Sequence, residues 1–512
     1  RGAGGFGQPP GKTSDTIAQT PAGVRVYSTE KENGPMRIME KSTTFGLIVG
    51  TRGFFNPALA AEGRRQLLAE LDELGYSTII PPQDATPNGA IETLDDARVA
   101  ARVFKENAER IDGIVVTLPN FGDELGVVQT LDIAGLDVPV LVHAFDDDLD
   151  KLDFEHRRDA FCGKLSVCNN LYQYDIPFTN TTYHTYPVES ELLDQDLAFF
   201  AKVCRTVKGL TNARVGAIGA RPAAFQTVRF SEKILQKTGI TVVPVDLSEI
   251  IFGAQALDDQ DPAVQEKLEA IHGYGTIPDE IPDANVLKQA KLSVVIDRWM
   301  EENECDASAV ECWDSIQKNY GCATCLSMSM MGERLMPSAC EVDVLGAVSM
   351  YALLLASGNP PGFLDWNNNY GDDRNKCINV HCSNYPKSFM GKEDIEISNL
   401  DVLGETLGKD RCFGAVKGQV AAGPMTFFRV STDDPRGVIR AYLGEGEFTD
   451  DPVDIAGGSA VIHVEDLQGV LDYVCKKGFE HHVSMTRGHC ADVLQEAIDT
   501  YLGWELFRHN PA

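Results

Sequence analysis

Thr44-Phe-Gly-Leu-Ile-Val-Gly-Thr-Arg-Gly-Phe-Phe-Asn56, with residues 59–74 behind it, decides how the chain folds. Phe45-Gly-Leu-Ile-Val49 is a short apolar run closed by Gly50, and residues 59–74 carry apolar side chains at helical spacing among good helix formers. The unit then repeats: residues 77–80, 113–118 and 138–142 read as buried strands with helices between them. Short buried strands alternating with helices predict a parallel sheet covered on both faces. Such sheets carry their functional loops at the carboxyl ends of the strands. Residues 50–56 and 119–123 are those loops, and neither contains the G-x-G-x-x-G dinucleotide fingerprint.

A second α/β unit is predicted from about Leu165. Residues 214–218 and 241–245 read as strands, Gly219-Ala-Arg-Pro222 as a turn, and residues 262–272 and 285–300 as helices. A buried strand is expected at 310–313, and a strongly apolar helix at 342–356, stopped by Gly358 and two prolines. After Pro361 the texture changes. Residues 378–381, 414–420, 425–430 and 460–464 are short β-like segments separated by Gly, Asp and Pro, predicting a largely β third domain, a barrel or a compact sandwich. The expected division is a disordered leader at 1–43, α/β domains at 44–164 and 165–358, and a β-rich domain at 359–512.

A chain of 512 residues is too long for one core; roughly three domains are expected. The net charge of −31 disfavours nucleic acid and anionic membrane as partners. No apolar run approaches the roughly 20 residues needed to span a bilayer. Thirteen dispersed cysteines fit buried thiols in a reducing compartment, so a cytoplasmic protein is expected. The leader is rich in Gly, Pro, Ser and Thr; a transit-peptide remnant within residues 1–30, or a start at Met36, are the readings open there. Gly7-Gln-Pro-Pro-Gly-Lys-Thr13 imitates a phosphate loop but is one residue short and follows no strand.

Four residues of the last third read together as a metal site: Glu341 in Ser338-Ala-Cys-Glu-Val-Asp343, Asp365 in Gly362-Phe-Leu-Asp-Trp366, His381, and His482 in the histidine-rich run 480–489. Two carboxylates and two imidazoles suit a hard-to-borderline divalent ion such as Mn²⁺ better than a thiolate zinc. Singly, each has an ordinary reading. Glu341 and Asp343 complement a helix macrodipole, Asp365 opens a turn through Trp366-Asn-Asn-Asn369, and His481, His482 and His489 are surface or core histidines. In Cys377-Ile-Asn-Val-His-Cys382 the strand period places His381 with Asn379, away from the apolar side formed by Ile378 and Val380. Cys322 and Cys325, with Cys312 and Cys340, are a weaker structural-zinc alternative, for which buried thiols are the better reading. Arg52 and Arg221 each follow a predicted strand and are candidates for an anionic or hydroxylated substrate; for them, as for Lys387 and Arg487, a surface salt bridge is the favoured reading.

Ala339-Cys-Glu-Val-Asp-Val-Leu-Gly-Ala347, Phe363-Leu-Asp365, Val380-His-Cys382, His481-His482 and Gly488-His489, in that order and spacing, resemble the L-fucose and L-arabinose isomerase superfamily, most of all its fucose isomerase-like branch. The resemblance runs from about Thr44 to the C-terminus. It implies two Rossmann-like α/β domains followed by a β-rich, barrel-like C-terminal domain, dependence on Mn²⁺ with Co²⁺ or Mg²⁺ as substitutes, and a homotrimer or homohexamer with sites near subunit interfaces. Glu341 and Asp365 would then be metal ligands and the acid/base pair, His482 the late histidine ligand, and His381 the additional histidine of the arabinose-type site. Residues 311–317 and 366–369 depart from the pockets of those isomerases, which leaves the sugar open. The expected reaction is aldose–ketose isomerisation of an open-chain sugar, the metal on O1 and O2 stabilising an ene-diolate. A non-catalytic sugar-binding protein and a metal-dependent aldol lyase on the same fold are the alternatives.

Overall fold

The computed structural model describes residues 39, 41–391 and 395–511. The expected leader up to residue 38, with its transit-peptide and phosphate-loop look-alikes, lies outside the described residues. Strands β1 (Thr44–Val49), β2 (Ser77–Ile79), β3 (Gly113–Leu118), β4 (Val140–Ala144) and β5 (Thr179–Asn180) form a parallel sheet in the order β2-β1-β3-β4-β5. β1, β3 and β4 are buried along their whole length, as continuous apolar runs between two helical layers should be. β6 (Arg214–Ile218), β7 (Thr241–Val245), β8 (Ala307–Val310) and β9 (Ser338–Cys340) form a second parallel sheet, ordered β7-β6-β8-β9. The strand expected at 310–313 thus lies three residues earlier. The expected boundary after residue 164 falls inside the helix Ala160–Gln173, and β5 beyond it joins the first sheet.

The C-terminal region is a mixed sheet of nine strands: β10 (Gly362–Tyr370), β11 (Asp373–His381), β12 (Glu396–Asn399), β13 (Phe413–Gln419), β14 (Gly423–Asp433), β15 (Val438–Thr449), β16 (Gly458–His463), β17 (His482–Arg487) and β18 (Glu505–Arg508). Their order is β12-β13-β16-β11-β10-β17-β14-β15-β18, and β15 pairs with β16 as well, so six of the pairings return on themselves. Trp366–Asn369, expected as a turn, lies inside β10. The strand is bulged there and its side chains emerge into solvent, so the polar run is a protruding hairpin and not a reversal.

The apolar helix Val344–Ser357 joins the second sheet to the third. All its residues but the last are buried, which suits a helix with no solvent side. It packs between the helix Glu191–Thr211 and strands β14 and β17. Asp343 caps it by accepting the Gly346 N–H at 2.8 Å, and Gly358 in the left-handed region ends it. Just before the cap, Glu341 (φ 65°) and Val342 (φ 55°) are consecutive non-glycine residues in that same left-handed region. Each costs on the order of 1–3 kcal/mol, strain of the kind that collects at functional sites.

One buried group of the first sheet makes stability depend on pH. His143 on β4 accepts from Thr117 Oγ1 at 2.9 Å and donates from Nε2 to the Tyr186 carbonyl at 3.0 Å, which fixes a neutral tautomer. Burial pulls its pKa down to about 4. The unfolded chain therefore takes up this proton first: stability is whole above about pH 6.5 and falls on acidification to about pH 4, by on the order of 3 kcal/mol. Urea denaturation across that range should show the loss, and His143→Gln should remove its pH dependence; an equal slope in the variant would contradict the assignment. Among the described residues no helix is long and apolar enough to cross a membrane.

Candidate metal centre

The strand ends and one strained turn deliver the four candidate ligands to one place. β9 stops at Cys340, so Glu341 projects from the carboxyl end of a parallel strand, where α/β sheets present functional groups. Asp365 sits in β10 directly opposite His482 on β17 and Val380 on β11, which puts His381, the last residue of β11, one step away. Glu341, His381 and His482 are all buried. The face of β11 is the reverse of the expected one. Alternation holds, but Asn379 and His381 occupy the buried side while Ile378 and Val380 are half-exposed. The buried side tolerates a polar run because its partners are there: the Asn379 amide donates to the Asp365 carbonyl at 2.8 Å and accepts from the Cys377 thiol at 3.4 Å.

His482 Nε2 stands 3.3 Å from Glu341 Oε2 and 3.6 Å from Asp365 Oδ1; His381 Nε2 and His481 Nε2 are each 3.9 Å from that same Asp365 oxygen. Glu341, His381 and His482 form one group able to share an ion, and Asp365, His481 and His482 a second that overlaps it. Glu341 Oε2 and Asp365 Oδ1 are buried and without a hydrogen-bond partner. Atoms bound at about 2.1 Å around a common ion lie about 3–4 Å apart. The residues therefore fit a divalent cation: buried carboxylate oxygens without a hydrogen-bond partner and imidazole nitrogens, spaced as ligands are. The electrostatics agree. Burial raises the Asp365 pKa, and although burial alone would lower that of His381, the neighbouring Asp365 carboxylate lifts it to about 10. The site calls for positive charge.

A buried chain of charges that sequence reasoning missed holds His482 in place. Its Nδ1 donates to Asp343 Oδ2 at 2.8 Å, which leaves Nε2 free to face the site. Asp343 is gripped by Arg429 through Nη1 at 2.7 Å and Nη2 at 3.0 Å, and Arg429 Nε reaches Glu480 at 3.3 Å, itself bonded to Ser431. Burial would raise the Asp343 pKa, but Arg429 and His482 outweigh it and hold the carboxyl well below the usual range. The ring of Phe363 packs on both imidazoles, 5.1 Å from His381 and 4.8 Å from His482. The signal for Arg429 was in the sequence, a lone cation within Phe427-Phe-Arg-Val430. Replacing it by Met should cost about 3–5 kcal/mol, since two buried carboxylates lose their counter-ion. Denaturant titration measures this, and a variant as stable as the parent would contradict the chain of charges.

The other expected candidates lie elsewhere. Arg52 pairs with Glu124 and lies over Phe121, Arg487 donates to the Ala421 and Ala422 carbonyls, and His489 is exposed near Glu445. The backbone N–H of Lys387 donates to the Tyr274 hydroxyl. Nine of the thirteen cysteines are buried, and among the described residues none joins a metal-type group. A cavity of about 310 Å³ opens onto Glu341, Asp365 and His381, walled by Trp313 and Phe225 and carrying Lys417, which Asp401 holds at 2.6 Å.

Residues 46–211 match the family profile of the fucose/sulfoquinovose isomerase N-terminal domain, and residues 379–509 that of the L-fucose isomerase C-terminal domain. The chain belongs to the fucose isomerase-like family. The family is one of aldose–ketose isomerases, and this chain is an enzyme of that class. The family ranges include His381 and His482 and leave Glu341 and Asp365 between them. Sulfoquinovose isomerases of Priestia aryabhattai and Priestia megaterium are 25% identical to it over 469 residues, 90% of this chain and 97% of theirs. That of Alkalicoccus urumqiensis is 26% identical over 332 residues, 64% of this chain and 70% of its own. A solved glucose-galactose binding protein of Geobacillus stearothermophilus covers 62% of this chain and 92% of its own at 16% identity, with a TM-score of 0.14 too low to carry weight.

Proposed function

We propose that this family member interconverts an open-chain aldose and its ketose in the 310 Å³ cavity, with Glu341, Asp365, His381 and His482 holding a divalent ion, Mn²⁺ first. The observation that carries the reading is the pair of buried, unpartnered carboxylate oxygens facing the imidazoles at ligand spacing. Bound there, the ion would act as a Lewis acid on the sugar's carbonyl and neighbouring oxygen. Glu341 and Asp365 move the proton between C1 and C2, one as base and one as acid, and the substrate passes through an ene-diolate. Asp343, through His482, keeps the site's geometry fixed during the transfer. Sulfoquinovose is the first sugar to test, since it names the relatives. The same reading takes the parallel sheets as Rossmann-like lobes, the strand cycle as a barrel, and the assembly as a trimer or hexamer that covers Phe54, 82% exposed.

Turnover of Mn²⁺-loaded protein in D₂O tests it. Sulfoquinovose, L-fucose and L-arabinose are supplied in turn and products read by NMR. A ketose carrying solvent deuterium is expected. Three-carbon fragments would establish aldol cleavage instead, and parental turnover in both Glu341→Gln and Asp365→Asn would exclude the carboxylates as proton carriers.

A further inference from the structure

Among the described residues, four that line the 310 Å³ cavity carry a buried side-chain nitrogen or oxygen without a hydrogen-bond partner: Glu341 Oε2, Asp365 Oδ1, His381 Nδ1 and Trp313 Nε1. The first three belong to the proposed metal centre. Trp313 does not. An indole N–H only donates, so it can neither hold a cation nor accept a proton, and whatever satisfies it must bring an acceptor. Native structures rarely leave a buried donor unpaired, and one on the wall of a cavity has the occupant as its missing partner.

The donor is carried on a fixed stretch of backbone. β8 stops at Val310, and Glu311 after it is tied to β6 and its loop: its N–H donates to the Ile218 carbonyl at 2.8 Å and its carboxylate accepts the Ala220 N–H at 2.8 Å. On the other side, the Trp313 carbonyl accepts the Ser315 N–H at 3.0 Å and the Gln317 amide donates to the Cys312 carbonyl at 2.9 Å. Trp313 therefore stands just beyond the carboxyl end of a parallel strand, as Glu341 does. Its ring meets Phe225 edge-on, with centroids 5.6 Å apart. Other polar side chains of the wall are already engaged or lie in solvent: Ser383 Oγ accepts the Gly458 N–H at 2.9 Å, Lys417 is paired with Asp401, and Asn367 is exposed. The indole N–H is thus a preorganised donor with nothing within the chain to receive it.

We infer that Trp313 is a specificity-determining residue: its Nε1–H donates to one sugar oxygen beyond C2. The oxygens of C1 and C2 are committed to the ion, so the donor reads a part of the sugar that does not react. It lies within residues 311–317, the segment that departs from the pockets of the fucose and arabinose isomerases.

The inference rests on the isomerase reading, and a binding test lets the two fail separately. Galactitol, glucitol and L-arabinitol keep the open chain and cannot isomerise; each is titrated calorimetrically into the Mn²⁺-loaded full chain. For the tightest of them, analogues lacking one hydroxyl at a time beyond C2 follow. One analogue should bind about tenfold more weakly than its parent alditol. Trp313→Phe, which keeps an aromatic ring and removes the N–H, should weaken the parent alditol by a similar factor and no longer distinguish that analogue. A ring that only fills space would weaken every analogue alike. The chain has four tryptophans, so ¹⁵N-tryptophan labelling gives four indole resonances, assigned by elimination through Phe variants at Trp299, Trp366 and Trp504. That of Trp313 should move downfield as the alditol binds. This second readout needs no substitution at Trp313 itself. No alditol binding, an affinity that Trp313→Phe leaves unmoved, equal weakening of every analogue, or an unshifted Trp313 resonance overturns the inference. Both signatures in a chain that turns over no sugar uphold it and sink the isomerase reading instead.

Discussion

Glu341→Gln should give a folded protein without measurable turnover. The substitution keeps the side chain's shape and its place in the strained turn, so the helix Val344–Ser357 and its Asp343 cap are undisturbed. What is lost is an ionised oxygen, Oε2, that has no other partner and stands 3.3 Å from His482 Nε2. Loss of a general acid or base alone typically lowers rates about 10²- to 10⁴-fold. Here the same oxygen is also assigned to the ion, so the fall should exceed that range. Initial rates on the best substrate, beside a thermal melt that certifies folding, decide it. A folded variant that keeps most of its activity would remove Glu341 from the mechanism, and Asp365→Asn should behave as Glu341→Gln does.

The second large effect separates two adjacent histidines. His482 is buried, tied through Nδ1 to Asp343, and belongs to both candidate ligand groups; His481 is half-exposed and reaches only Asp365. His482→Ala should release the metal on dialysis, while His481→Ala should keep most of it. Metal content by mass spectrometry after dialysis is the readout. The opposite result would move the ligand one residue back along the strand. His481 has a pKa pulled down to about 4 by burial and the neighbouring histidines, so its neutral ring remains a neighbour of the pocket in either case.

The α/β portion was legible because its central strands are the kind that sequence displays best. Phe45–Val49 and Gly113–Leu118 are buried on both faces, so their apolar runs are uninterrupted. β5, two residues long, has no such run and escaped notice. The four site residues were legible only as an ordered set, since each alone has an ordinary reading. What could not be read was the polar inside of the third sheet. Asn379, His381 and Arg429 lie on buried faces because their partners, Asp365, Glu341, Asp343 and Glu480, arrive from distant points of the chain. A periodicity argument assigns polar residues to solvent and has no means of seeing such partners. Asn367 to Asn369 misled in the opposite sense: a strand that leaves the body of the protein loses its apolar alternation and looks like a turn.

β17 comes after both of its neighbours in sequence, yet it pairs between β10 and β14 and carries His482. A chain still being made on the ribosome therefore has β10 and β14 with bare edges until residue 487 has emerged. Unpaired strand edges are templates for association with other chains. β17 thus closes the gap between β10 and β14 and brings His482 to the other candidate ligands, so on the proposed reading metal capture waits for the chain through residue 487. Chains cut short before β17 should accumulate as chaperone clients or aggregates and not as inactive, folded enzyme.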